Sequence, residues 1–264
     1  MTTVDTRSLY LELMKRSLIG LTMEDPSLAS FQSFEKPTFK VQDFDPRVRE
    51  NGMDWPGQAL SMIGAHRMDN IRSCLETVIA DDVPGDLIET GVWRGGATIF
   101  MRAILQAYGI VNRIVWVADS FRGVPPPNFE KYPEVPGLDL SRFDALAVSL
   151  EKVKTNFERY GLLDQQVRFL KGWFKDTLPQ APIEQLSILR LDGDLYESTI
   201  DALSSLYPKL SDGGFVIIDD YFIPACAKAV EDYRLEQKIM DEILRIDDQG
   251  VYWRKTSSGR RPQV

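Results

Sequence analysis

Short apolar runs alternate with segments of helical periodicity from residue 86 onward. The runs lack a strict apolar–polar alternation, which is typical of strands buried on both faces of a parallel sheet. The order strand, helix, strand therefore predicts an α/β fold in which a mostly parallel sheet carries helices on both faces. The predicted strands cover residues 86–90, 113–119, 166–172, 186–192 and 214–220, and the predicted helices cover 95–108, 144–160, 196–210 and 225–238, with a short helix starting near Asp176.

The first 80 residues are predicted to be helical at both ends and irregular in between. A helix is expected from Val4 to Ile19 and another from His66 to Ala80, each with apolar residues at helical spacing. Residues 21–60 contain recurring prolines and little periodicity, and long segments of this kind are often functional. A hairpin around Gly250 adds an antiparallel strand at one edge of the sheet. We expect one domain over residues 1–264, made of a helical lid segment (1–80), a core (81–255) and a flexible tail (256–264).

Composition and charge fit an acidic globular domain and exclude several functions. The 264 residues are 44% hydrophobic, which suits one sizeable core. A net charge of −8 opposes binding to nucleic acid. Cys74, Cys226 and the single histidine, His66, form no zinc-binding pattern. No apolar run reaches membrane-spanning length and the N-terminus has no signal-peptide pattern, so we expect a cytoplasmic protein without a membrane partner.

The loops after the first three predicted strands contain residues suited to a nucleoside-containing cofactor. The first loop reads E-x-G-x-x-x-G-G over residues 89–96, and its acid suits the cationic S-adenosylmethionine better than a diphosphate. Asp119 ends the second strand, where an acid can accept hydrogen bonds from both ribose hydroxyls. Aromatic residues after the third strand either stack on adenine or belong to the core beside a helix cap. The candidate cofactor-binding residues are Glu89, Gly91, Gly95, Asp119, Trp173, Phe174 and Asp176.

Four carboxylates follow the fourth and fifth predicted strands. Asp192 and Asp194 come after the fourth, and Asp219 and Asp220 after the fifth. Such strand ends meet at one edge of a sheet, where converging carboxylates repel each other unless a cation neutralises them. Oxygen donors favour Mg²⁺ or a similar hard cation, so Asp192, Asp219 and Asp220 are the predicted metal ligands. Asp194 is the predicted base for an alcohol or phenol proton, and a helix N-cap is its alternative role.

Taken together, these stretches resemble the macrocin O-methyltransferase (TylF-type) family of antibiotic-tailoring enzymes, which includes the novobiocin and mycinamicin sugar methyltransferases. The shared stretches are MIGAHRMDN, LIETGVWRGGATIFMRA, VWVADSFRGVPPP, GWFKDTLP, LRLDGDLYEST and GGFVIIDDY. The resemblance implies a Rossmann-like class I methyltransferase fold with a seven-stranded sheet, S-adenosylmethionine, Mg²⁺ and a deoxysugar hydroxyl of a glycosylated small molecule as acceptor. It also implies a homodimer or higher homo-oligomer. By motif, the resemblance supports the roles of the four aspartates and adds to the cofactor-binding set Ser61, Met62, Ser120 and Gly172.

Other interpretations remain open at this point. His66 is a candidate second base, although a histidine at a helix start is more often a cap or a surface residue. Asp192-Gly193-Asp194 is also the D-x-D pattern of metal-dependent glycosyltransferases, and a non-catalytic cofactor-binding protein is a further alternative. Arg190, within a predicted buried strand, needs an acidic partner. Residues 21–60 and 122–142 are expected to close over the ligands and to shape the acceptor pocket.

Overall fold

The computed structural model describes residues 5–31, 37–38, 40–131 and 139–257. Two sheets and a set of surrounding helices make up this part of the chain. The strands are β1 (Ser27–Phe31), β2 (Pro37–Thr38), β3 (Asp54–Pro56), β4 (Asp86–Thr90), β5 (Val115–Asp119), β6 (Val167–Lys171), β7 (Leu186–Leu191), β8 (Leu210–Ile218), β9 (Leu244–Arg245) and β10 (Val251–Arg254). The helices are α1 (Thr6–Leu18), α2 (Pro46–Glu50), α3 (Gly64–Ala80), α4 (Gly96–Ala107), α5 (Leu150–Arg159), α6 (Phe174–Thr177), α7 (Tyr196–Leu206) and α8 (Pro224–Glu236).

The larger sheet has seven strands in the order β6-β5-β4-β7-β8-β10-β9. The strands from β6 to β8 are parallel, and β10 runs antiparallel to both of its neighbours. The predicted mostly parallel sheet and its closing hairpin are therefore confirmed. The strand order reverses at β4, with β5 and β6 on one side and β7 and β8 on the other. Ligands bind beyond the carboxyl ends of the strands at such a switch point.

Side chains of the parallel strands pack alternately against two layers of helices. Leu87 and Val117 belong to the apolar cluster that contains residues of α1, α3, α4 and α5. Ile88 and Trp116, their neighbours along the same strands, belong to the cluster that contains residues of α7 and α8. Because both faces are covered, the strands read as continuous apolar runs. Within the described ranges, no helix is long and apolar enough to cross a membrane.

The segment between α1 and α3 is predicted to be irregular because of its prolines, but the structure shows regular elements in it. It contains α2 and a small sheet in which β1 pairs antiparallel with β2 and β3. Arg49 at the end of α2 is completely buried, and its Nε and Nη2 donate to the Asp54 carboxylate at 2.9 and 2.8 Å. Its Nη1 also donates to the carbonyl of Ile19 at 3.1 Å. This buried ion pair, which joins β3 to the end of α1, is a tertiary feature that local periodicity does not reveal.

One core helix starts later than predicted, because α5 begins at Leu150 rather than near Asp144. Its N-cap is Ser149, whose Oγ accepts from the backbone N–H of Lys152 at 3.2 Å. Residues Asp144–Leu146 form a separate 3-10 turn, in which the Ala145 carbonyl accepts from the Trp93 indole at 2.9 Å. Val4, the first residue of the predicted N-terminal helix, and most of the predicted flexible tail lie outside the described residues. The same holds for residues 32–36, 39 and 132–138 of the two segments that are predicted to close over the ligands.

Candidate active site

A cleft of about 1740 Å³ opens at the carboxyl ends of β4, β5, β7 and β8. Segments that lie outside the larger sheet complete its walls, including β3, the start of α3 and the loop after β5. The cleft therefore lies where the sheet topology favours a ligand site. It is lined by most of the residues chosen from the sequence, namely Ser61, Met62, Glu89, Gly91, Asp119, Ser120, Trp173, Phe174, Asp192, Asp194, Asp219 and Asp220.

The glycine-rich loop after β4 is shaped mainly by close contacts with the protein itself. Gly91 has a φ of +85°, and a Cβ there would lie 1.7 Å from the carbonyl oxygen of Asp192. Gly95, also at positive φ, is the N-cap of α4, and the backbone N–H of Gly96 donates to the Leu60 carbonyl at 3.0 Å. The loop thus needs glycine where it meets the end of β7 and the segment before α3. Gly95 itself is not part of the cleft lining.

Both carboxylate oxygens of Asp119, at the end of β5, accept hydrogen bonds from backbone N–H groups. One carboxylate oxygen accepts from the N–H of Val92 at 2.8 Å, and the other accepts from the N–H of Phe121 at 2.6 Å. Burial raises the pKa of this carboxyl, while the backbone hydrogen bonds oppose that rise. Ser120 donates to the Gly123 carbonyl at 2.8 Å and so shapes the following turn. The carboxylate is held rigidly on the cleft wall, where it can accept further hydrogen bonds.

Glu89 and Arg190 form a buried pair beneath the cleft. Arg190 is fully buried in β7, and its guanidinium contacts Glu89, Asp192 and Asp219. The expected acidic partner of Arg190 is therefore confirmed. Burial raises the pKa of Glu89 to about 8, although Arg190 opposes the rise. Among the described residues, the buried Oε2 of Glu89 has no hydrogen-bond partner, so a cationic donor in the cleft would satisfy it.

Three carboxylates meet at the ends of β7 and β8. One oxygen of each of Asp192, Asp219 and Asp220 lies within 4.8 Å of the other two. Burial raises the pKa of Asp192 to about 6 and the pKa of Asp220 well above its ordinary range, and Asp219 adds to both rises. A convergent set of oxygen donors with repelling charges has the chemistry that a hard divalent cation requires. The three residues therefore fit Mg²⁺.

Asp194 lies beside this trio in a backbone conformation that is unusual for a residue other than glycine. Its φ is +57°, and its backbone N–H donates to the Asp220 carboxylate at 3.1 Å. Burial raises the pKa of its own carboxyl to about 8, with further contributions from the charges of Asp192 and Asp219. The alternative of an N-cap is not borne out, because Leu195 occupies that position of α7.

The end of β6 contributes an aromatic wall. Trp173 and Phe174 line the cleft at the start of α6, rather than lying wholly in the core. Gly172 lies behind them with a φ of +144°, and its N–H donates to the Asp119 carbonyl at 2.9 Å. Asp176 is exposed and, like Gly172, is not among the lining residues. The structure therefore brings the aromatic pair to the site but leaves these two candidates at its periphery.

The lone histidine is exposed, whereas the arginine that follows it is buried at the site. His66 is exposed on α3 and does not line the cleft, so the structure gives it no contact with the site. Arg67 is buried, lines the cleft and contacts Asp219 and Asp247. The sequence interpretation missed Arg67. Its role could have been found from its position in the sequence, because it lies one helical turn from Ile71 on the apolar face of α3. A buried arginine on such a face needs acidic partners.

Comparison with known proteins places this architecture in one family. The family described as Macrocin-O-methyltransferase (TylF) matches residues 7–255. The 8-demethyl-8-(2,3-dimethoxy-alpha-L-rhamnosyl)-tetracenomycin-C 4'-O-methyltransferase of Streptomyces olivaceus is 55% identical over 98% of this chain and 97% of its own. The mycinamicin III 3''-O-methyltransferase of Micromonospora griseorubida is 49% identical over 94% of this chain and 97% of its own.

Solved structures agree with these relatives. The structure of the O-methyltransferase NovP is 52% identical, covers 95% of this chain and 99% of its own, and superimposes with a TM-score of 0.87. CalS11, a calicheamicin methyltransferase, shares the fold at 22% identity with a TM-score of 0.58. Neither a glycosyltransferase nor a non-catalytic protein fits these relationships. The chain belongs to the macrocin-O-methyltransferase family and is an O-methyltransferase.

Proposed function

We propose that the protein transfers the methyl group of S-adenosylmethionine to a sugar hydroxyl of a glycosylated natural product, with Mg²⁺ held by Asp192, Asp219 and Asp220. The observation that carries this proposal is the convergence of these three carboxylates on the wall of a cleft that Glu89 and Asp119 also line. One pocket thus offers separate acidic positions for a cationic methyl donor and for a divalent ion.

The cofactor is proposed to lie across the ends of β4, β5 and β6. The unpaired Oε2 of Glu89 suits the α-amino group, and Asp119 accepts hydrogen bonds from the ribose hydroxyls. Trp173 and Phe174 supply the apolar surface for adenine. Ser61 and Met62 cover the opposite side, where Leu60 packs on the glycine-rich loop. The residues proposed to hold the cofactor and the acidic cluster line the same cleft, so a methyl donor bound there would lie near the carboxylates.

The acidic cluster is proposed to prepare the acceptor hydroxyl. A bound Mg²⁺ supplies Lewis-acid polarisation, which lowers the pKa of a hydroxyl. Asp194 takes the proton as the acceptor oxygen forms its bond to the methyl carbon and the carbon–sulfur bond breaks. Burial and the charges of Asp192 and Asp219 raise the pKa of Asp194 in the absence of metal, and a cation held by those carboxylates would lower it, which would leave Asp194 ionised and able to accept the proton. His66 is left out of the mechanism because it lies outside the cleft.

The acceptor is proposed to carry an apolar aglycone. Apolar side chains line the cleft as well as the acidic cluster, and a sugar alone would leave much of this apolar surface uncovered. They include Trp55, Leu140, Leu146 and Phe222. The relatives support this proposal, because their names describe O-methyltransferases of tetracenomycin, novobiocin and mycinamicin compounds.

Methyl transfer from S-adenosylmethionine to a panel of glycosides tests the function. The panel pairs rhamnosides and other deoxyhexosides of aromatic and macrolide aglycones with the matching methyl glycosides. We expect transfer to the large glycosides, loss of transfer with a chelator and recovery with Mg²⁺. Full activity in the chelator would contradict the metal assignment, and methylation of every aglycone regardless of its sugar would contradict the acceptor assignment.

The protein is further proposed to be a cytoplasmic homodimer or higher homo-oligomer. Leu9 and Leu13, one helical turn apart on α1, are about 60% exposed, which suits a surface covered by a second copy. Light scattering measures the oligomeric state of the protein, and cell fractionation measures its location. A monomer at all concentrations would contradict the proposal.

A further inference from the structure

The segment from residue 50 to residue 63, here called the strap, runs along one wall of the cleft between the cofactor side and the metal side. It leads from the end of α2 through β3 to the start of α3. Asp54, Trp55, Ser61 and Met62 within it line the cleft. The position of the strap therefore sets the shape of the wall that faces the cofactor.

On the cofactor side, the strap is attached to the glycine-rich loop. Nη1 of Arg94 donates to the carbonyls of Pro56 at 3.0 Å and Ala59 at 2.7 Å. The backbone N–H of Gly96 donates to the Leu60 carbonyl at 3.0 Å. These hydrogen bonds tie the position of the strap to that of the glycine-rich loop.

On the metal side, the strap is attached to the acidic cluster through two buried side chains. Nε2 of Gln249 donates to the carbonyls of Asn51 at 3.3 Å and Gly52 at 3.2 Å. Its Oε1 accepts from Nη2 of Arg67 at 3.1 Å, and Nη1 of the same arginine binds the carboxylate of Asp219. Arg67, Asp219 and Gln249 are each less than 7% exposed. An unbroken chain of hydrogen bonds thus joins a proposed metal ligand to the strap.

We propose that Arg67 and Gln249 are positioning residues that couple the metal site to the strap, so that Mg²⁺ binding also orders the wall over the cofactor. The inference rests on the proposed Mg²⁺ site. Arg67 and Arg190 hold the carboxylate of Asp219 even without a cation, but Asp192 and Asp220 still repel it. A cation bound by all three carboxylates removes that repulsion, so that Asp219 keeps one arrangement and, through it, Arg67, Gln249 and the carbonyls of the strap.

The coupling has a reciprocal consequence. If Mg²⁺ raises the affinity for S-adenosylmethionine by ordering the strap, the cofactor must raise the affinity for Mg²⁺ by the same factor. Couplings of this kind commonly amount to about 5- to 150-fold in affinity. Both affinities can be measured by calorimetry, without turnover.

Hydrogen exchange of the strap, with and without Mg²⁺ and in the absence of cofactor, tests the proposal directly. In the wild type we expect Mg²⁺ to slow exchange over residues 50–63 by about fivefold or more. In Gln249→Leu we expect Mg²⁺ to bind with nearly wild-type affinity but to leave strap exchange unchanged. The reciprocal tightening of cofactor and metal should disappear in the same variant.

Gln166→Leu is the matched control. Gln166 is as buried as Gln249, and its Nε2 also donates to two carbonyls, those of Ile110 and Arg113, at the opposite edge of the sheet. Gln166→Leu should lose about as much folding stability as Gln249→Leu, but Mg²⁺ should still slow hydrogen exchange of its strap. Arg67→Lys is a second variant, because an ammonium can reach Asp219 but cannot reproduce the fork to Gln249 and Gly52. It should keep Mg²⁺ binding and lose most of the strap response.

The outcomes separate this inference from the proposed function. If the wild type binds no Mg²⁺, the metal assignment and the coupling both fail. If Mg²⁺ binds and strap exchange does not change, or if Gln249→Leu keeps the full response, the coupling alone is overturned and the metal site stands.

Discussion

At the scale of single residues, Asp119 has both a structural and a proposed binding role, because its carboxylate fixes two backbone amides and faces the cleft. We predict that Asp119→Ala weakens S-adenosylmethionine binding, since each lost charge-assisted bond costs roughly 1.5–3 kcal/mol. Calorimetry measures the change. Asp86→Ala is the control, because Asp86 also accepts from two N–H groups but lies at the opposite end of the sheet. Equal losses of affinity in the two variants would refute the ribose assignment.

Asp194 and the three proposed ligands are distinguished by their response to metal. We predict that Asp192→Asn, Asp219→Asn and Asp220→Asn weaken Mg²⁺ binding and regain part of their activity at high Mg²⁺. Asp194→Asn should keep its metal affinity and lose about 10²–10⁴-fold in turnover, because it removes a proton acceptor. Asparagine tolerates the left-handed backbone at this position. Magnesium titration of activity, with metal affinity measured separately, checks the contrast.

Rescue of Asp194→Asn by Mg²⁺ would make Asp194 a ligand and leave the base unassigned. Cofactor affinity, measured for all four variants, is the control for correct folding. Wild-type turnover in Asp194→Asn would show that the proton leaves by another route.

Sequence reasoning works best for residues whose position follows from a strand end. Asp119, Asp192 and Asp219 reach the cleft because the strands that they follow were predicted correctly. Arg67 and Gln249 were missed because their partners are distant in sequence, with Asp219 152 residues from Arg67. His66 was selected because it is a histidine, and its exposure on α3 follows from helix phase rather than residue type.

At the scale of elements, the core strands were predictable and the boundaries of some helices were not. Buried parallel strands leave an apolar run that needs no tertiary information. Both Asp144 and Ser149 are residue types that can be the N-cap of α5, and the structure has Ser149 in that position. The turn that contains Asp144 is separate from the helix, and its Ala145 carbonyl accepts a hydrogen bond from Trp93. The small sheet was missed because its strands have only two to five residues and pair across a segment without strand periodicity, with tertiary contacts such as the buried pair of Arg49 and Asp54.

The buried position of Arg49 beside this small sheet gives a prediction about stability. We predict that Arg49→Leu lowers the free energy of unfolding by about 3–5 kcal/mol, because it leaves the buried carboxylates of Asp54 and Asp25 without their cationic partner. Arg47→Leu, an exposed position on the same short helix, should cost less than about 0.5 kcal/mol. Urea denaturation measures both. Similar small losses in the two variants would show that the ion pair does not maintain the sheet.

At the scale of the whole molecule, the fold brings several of the acidic residues in the sequence together at one end of the larger sheet. Burial raises the pKa of Glu89 and of Asp194 to about 8, and that of Asp192 to about 6. Their positions follow from the sheet order, which brings the ends of β4, β7 and β8 together. The net charge of −8 does not reveal this clustering, and only the topology does.

This clustering predicts how stability depends on pH. Between about pH 4.5 and pH 8 the folded protein retains a proton on Glu89 that the unfolded chain has released, so the free energy of unfolding falls as pH rises through that window. Relative to Glu89→Gln, the wild type should lose up to about 1.4 kcal/mol per pH unit, the value for one proton. Urea denaturation of both proteins in a chelator measures the difference. A constant difference across the window would mean that Glu89 is ionised in the folded protein, with Arg190 fully offsetting its burial.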